Sequence, residues 1–189
     1  MSDLRGAQVD PKDAASFVFA GRCKFTLLRT DTGSRITFQF KRIKPKRGQT
    51  LPAYYENSYW VMYKYNEDTT DGKGYALIGT VYQGTRYAES RRIEGYKYRQ
   101  GDVYKALKHG SQVMAWFLPK LLSATLPECI QVWHNGNCGR CGRDLTVPVS
   151  IHRGIGPECL HYMPAVQAGI DAMILEYLEK QKSKVVPHA

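Results

Sequence analysis

Apolar and polar residues alternate over Cys23 to Leu27, with Lys24 and Thr26 on the other face, and again over Ile36, Phe38 and Phe40, with Arg35, Thr37, Gln39 and Lys41 between them. A period of two predicts a pair of half-buried strands, and Asp31-Thr32-Gly33-Ser34 supplies the turn of a hairpin with one apolar and one basic face. The strand-like pattern is expected to begin near Phe17. Pro45, Gly48 and Pro52 bracket a basic loop, after which residues 59–65 read as a third strand. The polar stretch 66–74 turns the chain into a fourth strand over residues 75–82, whose near-continuous apolar character predicts partial cover on both faces. Four sequential strands with short connections predict an antiparallel meander. Residues 84–99 show no clear period and are expected to form a basic connecting loop.

The period then changes. Val103, Leu107, Met114, Phe117, Leu118, Leu121 and Leu122 recur at helical spacing between Asp102, a plausible N-cap, and Pro127, with Gly110 and Pro119 predicting a break or kink. A second helical stripe runs through Ala165, Val166, Ile170, Met173, Ile174, Tyr177 and Leu178. The expected organisation is a flexible arm (1–15), a basic β-rich body (16–128), a cysteine-containing segment with the C-terminal helix (129–182) and a short tail (183–189).

Composition adds charge to this α+β outline. The 189 residues carry a net charge of +10, and nine Lys or Arg stand against the single acid Asp31 within residues 16–50. Eleven of the 13 tyrosines lie between Tyr54 and Tyr104. Cations neutralise phosphates and rings stack on bases, so this interleaving points to a nucleic-acid surface formed by Lys24, Arg35, Lys41, Arg42, Lys44, Lys46 and Arg47, with Arg91 and Arg92 from the later basic stretch. Tyrosine is also a good strand residue whose ring packs while its hydroxyl stays wet, so the rings alone do not decide the matter. No apolar run approaches the ~18 residues that cross a bilayer, and the N-terminal residues are too acidic and polar for a signal peptide. The expectation is a cytoplasmic protein with no membrane partner.

Five cysteines cannot all pair within one chain, and in a reducing compartment they are more often buried or metal-bound. The sharpest local signal is His134-x3-Cys138-x2-Cys141-x17-Cys159. Cys-x2-Cys lets two thiolates on one tight turn reach the same tetrahedral ion, and Cys159, two residues after Pro157, suits the first turn of a helix. A knuckle, an intervening hairpin and a ligand at a helix N-terminus predict a treble-clef or zinc-ribbon-like site holding one structural Zn²⁺. Three cysteines need a fourth ligand. His134 can fold back over the knuckle, while His161 stands at i, i+2 from Cys159, where side chains point apart on a helix, and His152 is expected to face solvent in the hairpin. Cys23 and Cys129 are expected as buried residues, and Arg140 and Arg143 can offset the residual negative charge of a three-thiolate site.

The run CGRCGR, LTVPVSI and GIGPEC over residues 138–159 resembles a small uncharacterised domain family found mostly in phage and prophage proteins, often with a histidine a few residues upstream. Val149 departs from its usual acidic residue and touches no ligand position. The resemblance implies a phage-type zinc-binding accessory protein without an assigned activity. Two functions follow as expectations. One is a zinc-stabilised nucleic-acid-binding protein; the other is a module whose basic face meets an acidic host protein, such as an enzyme that it modulates. A treble-clef nuclease with His152 as general base is disfavoured, because no second His, Asn or carboxylate cluster stands at catalytic spacing.

Overall fold

A computed structural model describes residues 6–66, 74–97 and 100–184. Its centre is a six-stranded antiparallel sheet in the order β5-β4-β3-β2-β1-β6. The strands are β1 (Lys24–Arg29), β2 (Arg35–Arg42), β3 (Tyr59–Lys64), β4 (Tyr75–Tyr82), β5 (Arg86–Glu89) and β6 (Ile130–His134). The predicted alternation sets the register: Phe25 stands opposite Phe38 on one side and His134 on the other, and Phe40 stands opposite Val61. All of these point to the same face. The intervening positions Lys24, Gln39 and Met62 are likewise aligned on the other face. A bulge at Val61/Met62 lets β4 keep Ile78 fully buried although it falls between two paired residues.

The apolar face is covered by α2 (Gly101–Leu122), whose Leu107, Met114, Phe117 and Leu118 are buried against it. Phe117 and Phe25 meet with ring centroids 5.7 Å apart. Each such side chain contributes roughly 1.5–3 kcal/mol by leaving water. Contrary to expectation α2 is unbroken. Pro119 sits in its last turn, where it spares only the carbonyl of exposed Ala115, and Gly110 is where the helix meets a ring rather than where it ends. A Cβ on Gly110 would stand 2.6 Å from Cδ1 of Tyr63. Gly110→Ala is therefore expected to lower the thermal midpoint. The overpacking cost of ~1–3 kcal/mol exceeds the ~1 kcal/mol that alanine gains in a helix, and a rise in Tm would contradict this packing.

Three further expectations are corrected. Residues 86–89, read as loop, form the edge strand β5, held because the Tyr87 hydroxyl donates to the Ile78 carbonyl (3.0 Å) and meets Ser111 Oγ (2.9 Å) on α2. The strand pattern begins at Lys24, not near Phe17: Phe17 lies in a short helix, α1 (Ala14–Val18), which buries Ala14, Phe17 and Val18. The hairpin expected between the cysteines is instead helical, α3 (Pro148–Arg153), because Pro148 pre-sets the first helical φ and Gly154 takes the left-handed φ of 68° that closes its end. The chain then runs through α4 (Pro157–Leu160) and α5 (Met163–Lys184), which packs on α1 and buries Ile170.

Within the stretch expected as an arm, Val9 N–H donates to Val132 O (2.8 Å) and Ala7 O accepts from His134 N–H (3.1 Å), so the outer edge of β6 is paired. Residues 1–5 of that arm and 185–189 of the tail lie outside the described residues. No helix is long and apolar enough to cross a membrane among the described residues.

Candidate metal centre and cationic face

The thiol site grows out of the end of β6. After His134 the chain turns at Gly136 (φ 73°), and Leu145 N–H returns to Gly136 O at 2.7 Å. Inside this small loop Cys138 N–H donates to Arg143 O and Gly142 N–H to Cys138 O, both at 2.8 Å, with Gly142 at φ 80°. That tight turn carries Cys138 and Cys141. The end of α3 locks onto it, since Gly139 N–H donates to Gly154 O (2.9 Å), and the next turn places Cys159 in α4. The sulfurs of Cys138, Cys141 and Cys159 all lie within 4.8 Å of one another. A tetrahedral ion about 2.3 Å from each sulfur needs them roughly 3.8 Å apart, so the three thiols could hold a metal ion, and soft thiolates suit a borderline-soft one.

The electrostatics of the trio are uneven. Burial works to raise the Cys138 thiol, but the amides of Gly156 (N–H to Sγ, 3.3 Å), Cys141 and Arg140 outweigh it and hold it below the ordinary thiol value. Cys159 is pushed up to about 11, first by burial and then by the neighbouring thiols, against the pull of Arg140. Arg140 points Nη1 at Cys159 Sγ (3.9 Å) while its guanidinium stacks on Tyr162 at 3.9 Å.

His134 is not brought to the thiols. It is almost fully buried, 6.0 Å from the Phe17 ring, with Nδ1 accepting from Gly136 N–H (3.1 Å) and Nε2 against the Ile151 carbonyl. Burial, opposed by that carbonyl, lowers its pKa, so the ring is neutral and ties β6, the knuckle and α3 together. His134→Ala would leave the Gly136 N–H and the Ile151 carbonyl without the ring and open space beside Phe17. The expected loss is about 2–4 kcal/mol by thermal unfolding, with metal retained in an assay of the purified variant. Metal lost in that variant with the melt unchanged would contradict this placement and point to His134 as a ligand. The other two candidate histidines are not in the thiol group either: His152 is exposed on α3, beside a cavity of about 930 Å³, and His161 stacks on Tyr162. Cys23 is fully buried and Cys129 half-buried.

The predicted cations divide by face. Lys24, Arg35 and Lys41 stand at outward positions of β1 and β2, and Lys44, Lys46 and Arg47 are exposed on the loop that follows β2. Arg42 pairs in register with buried Tyr59 and donates to Asn57 Oδ1 (2.6 Å), so it leaves the outward row. Arg91 and Arg92 are exposed on a 3₁₀ turn (Arg91–Tyr96) that buries Ile93 and packs against α2, apart from Lys24, Arg35 and Lys41. Tyrosines contribute less than their number suggests. Tyr59 is core, while Tyr63, Tyr65, Tyr87, Tyr96 and Tyr104 pack around it. Strand alternation puts Trp60, Tyr75, Tyr82 and Trp133 outward, and of these Trp60 lies directly opposite Lys41 and is 46% exposed. Partial burial, together with Arg22 and Lys24, depresses the Lys41 pKa.

Residues 133–164 match a protein family of unknown function, DUF6011, which spans the whole thiol site. No curated protein and no solved structure matches the chain.

Proposed function

We propose that the protein binds nucleic acid through the outward face of its sheet and that a single structural zinc ion, held by Cys138, Cys141 and Cys159, fixes the knuckle beside that face. The observation that carries the reading is the make-up of that face. Lys24, Arg35 and Lys41 share it with exposed Trp60, no Asp or Glu stands at an outward position of β1 to β6, and the helices α1, α2 and α5 gather on the other side. Cations that neutralise phosphate beside a ring that can stack a base are the elements of sequence-tolerant binding to a single strand.

Zinc is the metal that suits three thiolates held by a tight backbone turn with amide donors around them. Asp144 and Glu158 border the same opening as the thiols. In this reading the protein is an accessory factor of phage type working in the host cytoplasm, where thiols stay reduced and free to hold metal. Fluorescence anisotropy of a labelled oligonucleotide titrated with the full chain, purified through nuclease and a high-salt wash, tests the binding. Affinity at low salt that fades as salt rises is expected. No affinity at low salt would end this reading, and a host protein still captured after nuclease digestion would replace it with an acidic protein partner.

A further inference from the structure

The basic face contains a cavity of about 370 Å³ lined by Arg22, Lys24, Gln39, Lys41, Tyr75 and the Cys141–Arg143 turn. Its four cations come from three separate parts of the chain. Arg22 precedes β1, Lys24 and Lys41 are diagonal neighbours on the outward face of β1 and β2, and Arg143 arrives with the knuckle. The knuckle seats directly on the strand end, because Arg22 N–H donates to Gly139 O at 2.7 Å and the Gly142 backbone leaves room for the Arg22 side chain. Among the described residues no carboxylate pairs with Arg22, Lys24 or Lys41; Arg143 reaches Glu158 at 3.0 Å, with both side chains largely exposed. Lys24 Nζ rests 6.0 Å from the Tyr75 ring centre. Several cations facing one concave volume repel one another, and an anion in that volume relieves the repulsion.

We infer that this cavity is a phosphate seat, which takes one backbone phosphate of a nucleic-acid strand lying across the sheet. The inference deepens the proposed nucleic-acid binding and rests on it for the source of the phosphate. Lys24, Lys41 and Arg22 supply charge, Gln39 an amide N–H and Arg143 a forked guanidinium from the opposite wall. Trp60, next to Lys41 across the β2–β3 ladder, is placed to meet the base beside that phosphate. The cavity lies in the lower part of the ~300–1,000 Å³ range of small-ligand sites, so it also admits a free phosphate compound.

Two charge-matched pairs test the seat in the full chain: Lys24→Gln with Lys41→Gln inside it, and Lys105→Gln with Lys120→Gln on α2. Each is titrated with a labelled single-stranded oligonucleotide and, by calorimetry, with inorganic pyrophosphate. The seat predicts at least a ~10-fold loss of oligonucleotide affinity for the first pair, with a salt slope smaller by about 1, and a change within about twofold for the second. The first pair should also melt within about 2 °C of the wild type, because relief of the repulsion offsets loss of the single Lys24–Tyr75 contact. Equal losses in the two pairs overturn the seat and leave the nucleic-acid reading standing. Pyrophosphate binding abolished only by the first pair, without oligonucleotide binding in the wild type, keeps the seat for a free phosphate compound and ends the nucleic-acid reading. Absence of both ligands from the wild type overturns both.

Discussion

Cys138→Ser is expected to lower the thermal midpoint by about 8–16 °C and to free α3 and α4 from the knuckle. Cys138 is buried, its sulfur accepts from Gly156 N–H, and its backbone closes the turn through Arg143 and Gly142. Removing one thiolate from a three-thiolate metal site forfeits much of the ion's contribution to folding. Structural zinc supplies ~10–16 kcal/mol of apparent binding energy in small isolated fingers. Here the sheet and α2 have their own core, so the loss is confined to the segment that the proposed ion would staple, and ~4 kcal/mol is a reasonable share. For a chain of this size that corresponds to the stated fall in Tm. The effect depends on ligand identity rather than on sulfur as such: Cys129→Ser, at a half-buried position outside the trio, should change the midpoint by no more than about 2 °C and keep the metal. Circular dichroism melts of both variants, with and without a chelator, check this. A chelator that shifts the wild type but not Cys138→Ser is the expected pattern.

Metal uptake should also weaken on acidification. All three thiols must lose their protons to ligate, and burial pushes the Cys159 thiol up. As pH falls, protons compete more strongly for the sulfurs, so apparent metal affinity falls and metal binding releases protons into a weak buffer.

The second large effect concerns salt. With Lys24 and Lys41 sharing one phosphate and Arg35, Lys44, Lys46 and Arg47 each on another, about five phosphates are neutralised, and a single strand gives a slope of log affinity against log salt near −3.5. Raising salt fourfold should then weaken binding by roughly 130-fold. Neutralising the loop with Lys44→Gln, Lys46→Gln and Arg47→Gln should reduce the slope by about 2, whereas Arg91→Gln with Arg92→Gln should leave it unchanged. The contrast follows from placement, because the 3₁₀ turn that carries Arg91 and Arg92 packs against α2 and not on the outward sheet face. Anisotropy titrations at four salt concentrations would measure it. A slope that responds equally to both sets would mean that the strand does not follow the sheet.

Strand alternation made β1 to β4 legible, since Phe25, Leu27, Phe38 and Phe40 leave one face for the core and Lys24, Gln39 and Lys41 the other. β5 was not legible because its four residues form an edge strand with one inward ring, Tyr87, whose hydroxyl bonds are tertiary. Around the thiols, Val147 and Val149 read as strand residues, yet both are exposed, and Pro148 with Gly154 sets a helix between them. The cysteine spacing placed all three thiols correctly, because two share one tight turn and the third sits at a helix start. Histidine spacing could not say where the His134 ring points. That depends on β6 pairing with β1 and on the Ile151 carbonyl at the far side of the knuckle. The cavity on the basic face was equally out of reach, for Arg22 and Arg143 come to line it together only when the knuckle docks.

On the proposed reading, the three thiols hold an ion on which the fold depends. The most direct measurement is elemental analysis of the full chain purified without added metal, paired with a melt before and after chelation. One zinc per chain is expected, with a midpoint that falls when the zinc is removed. A metal-free chain that melts at the same temperature with and without added zinc would contradict it.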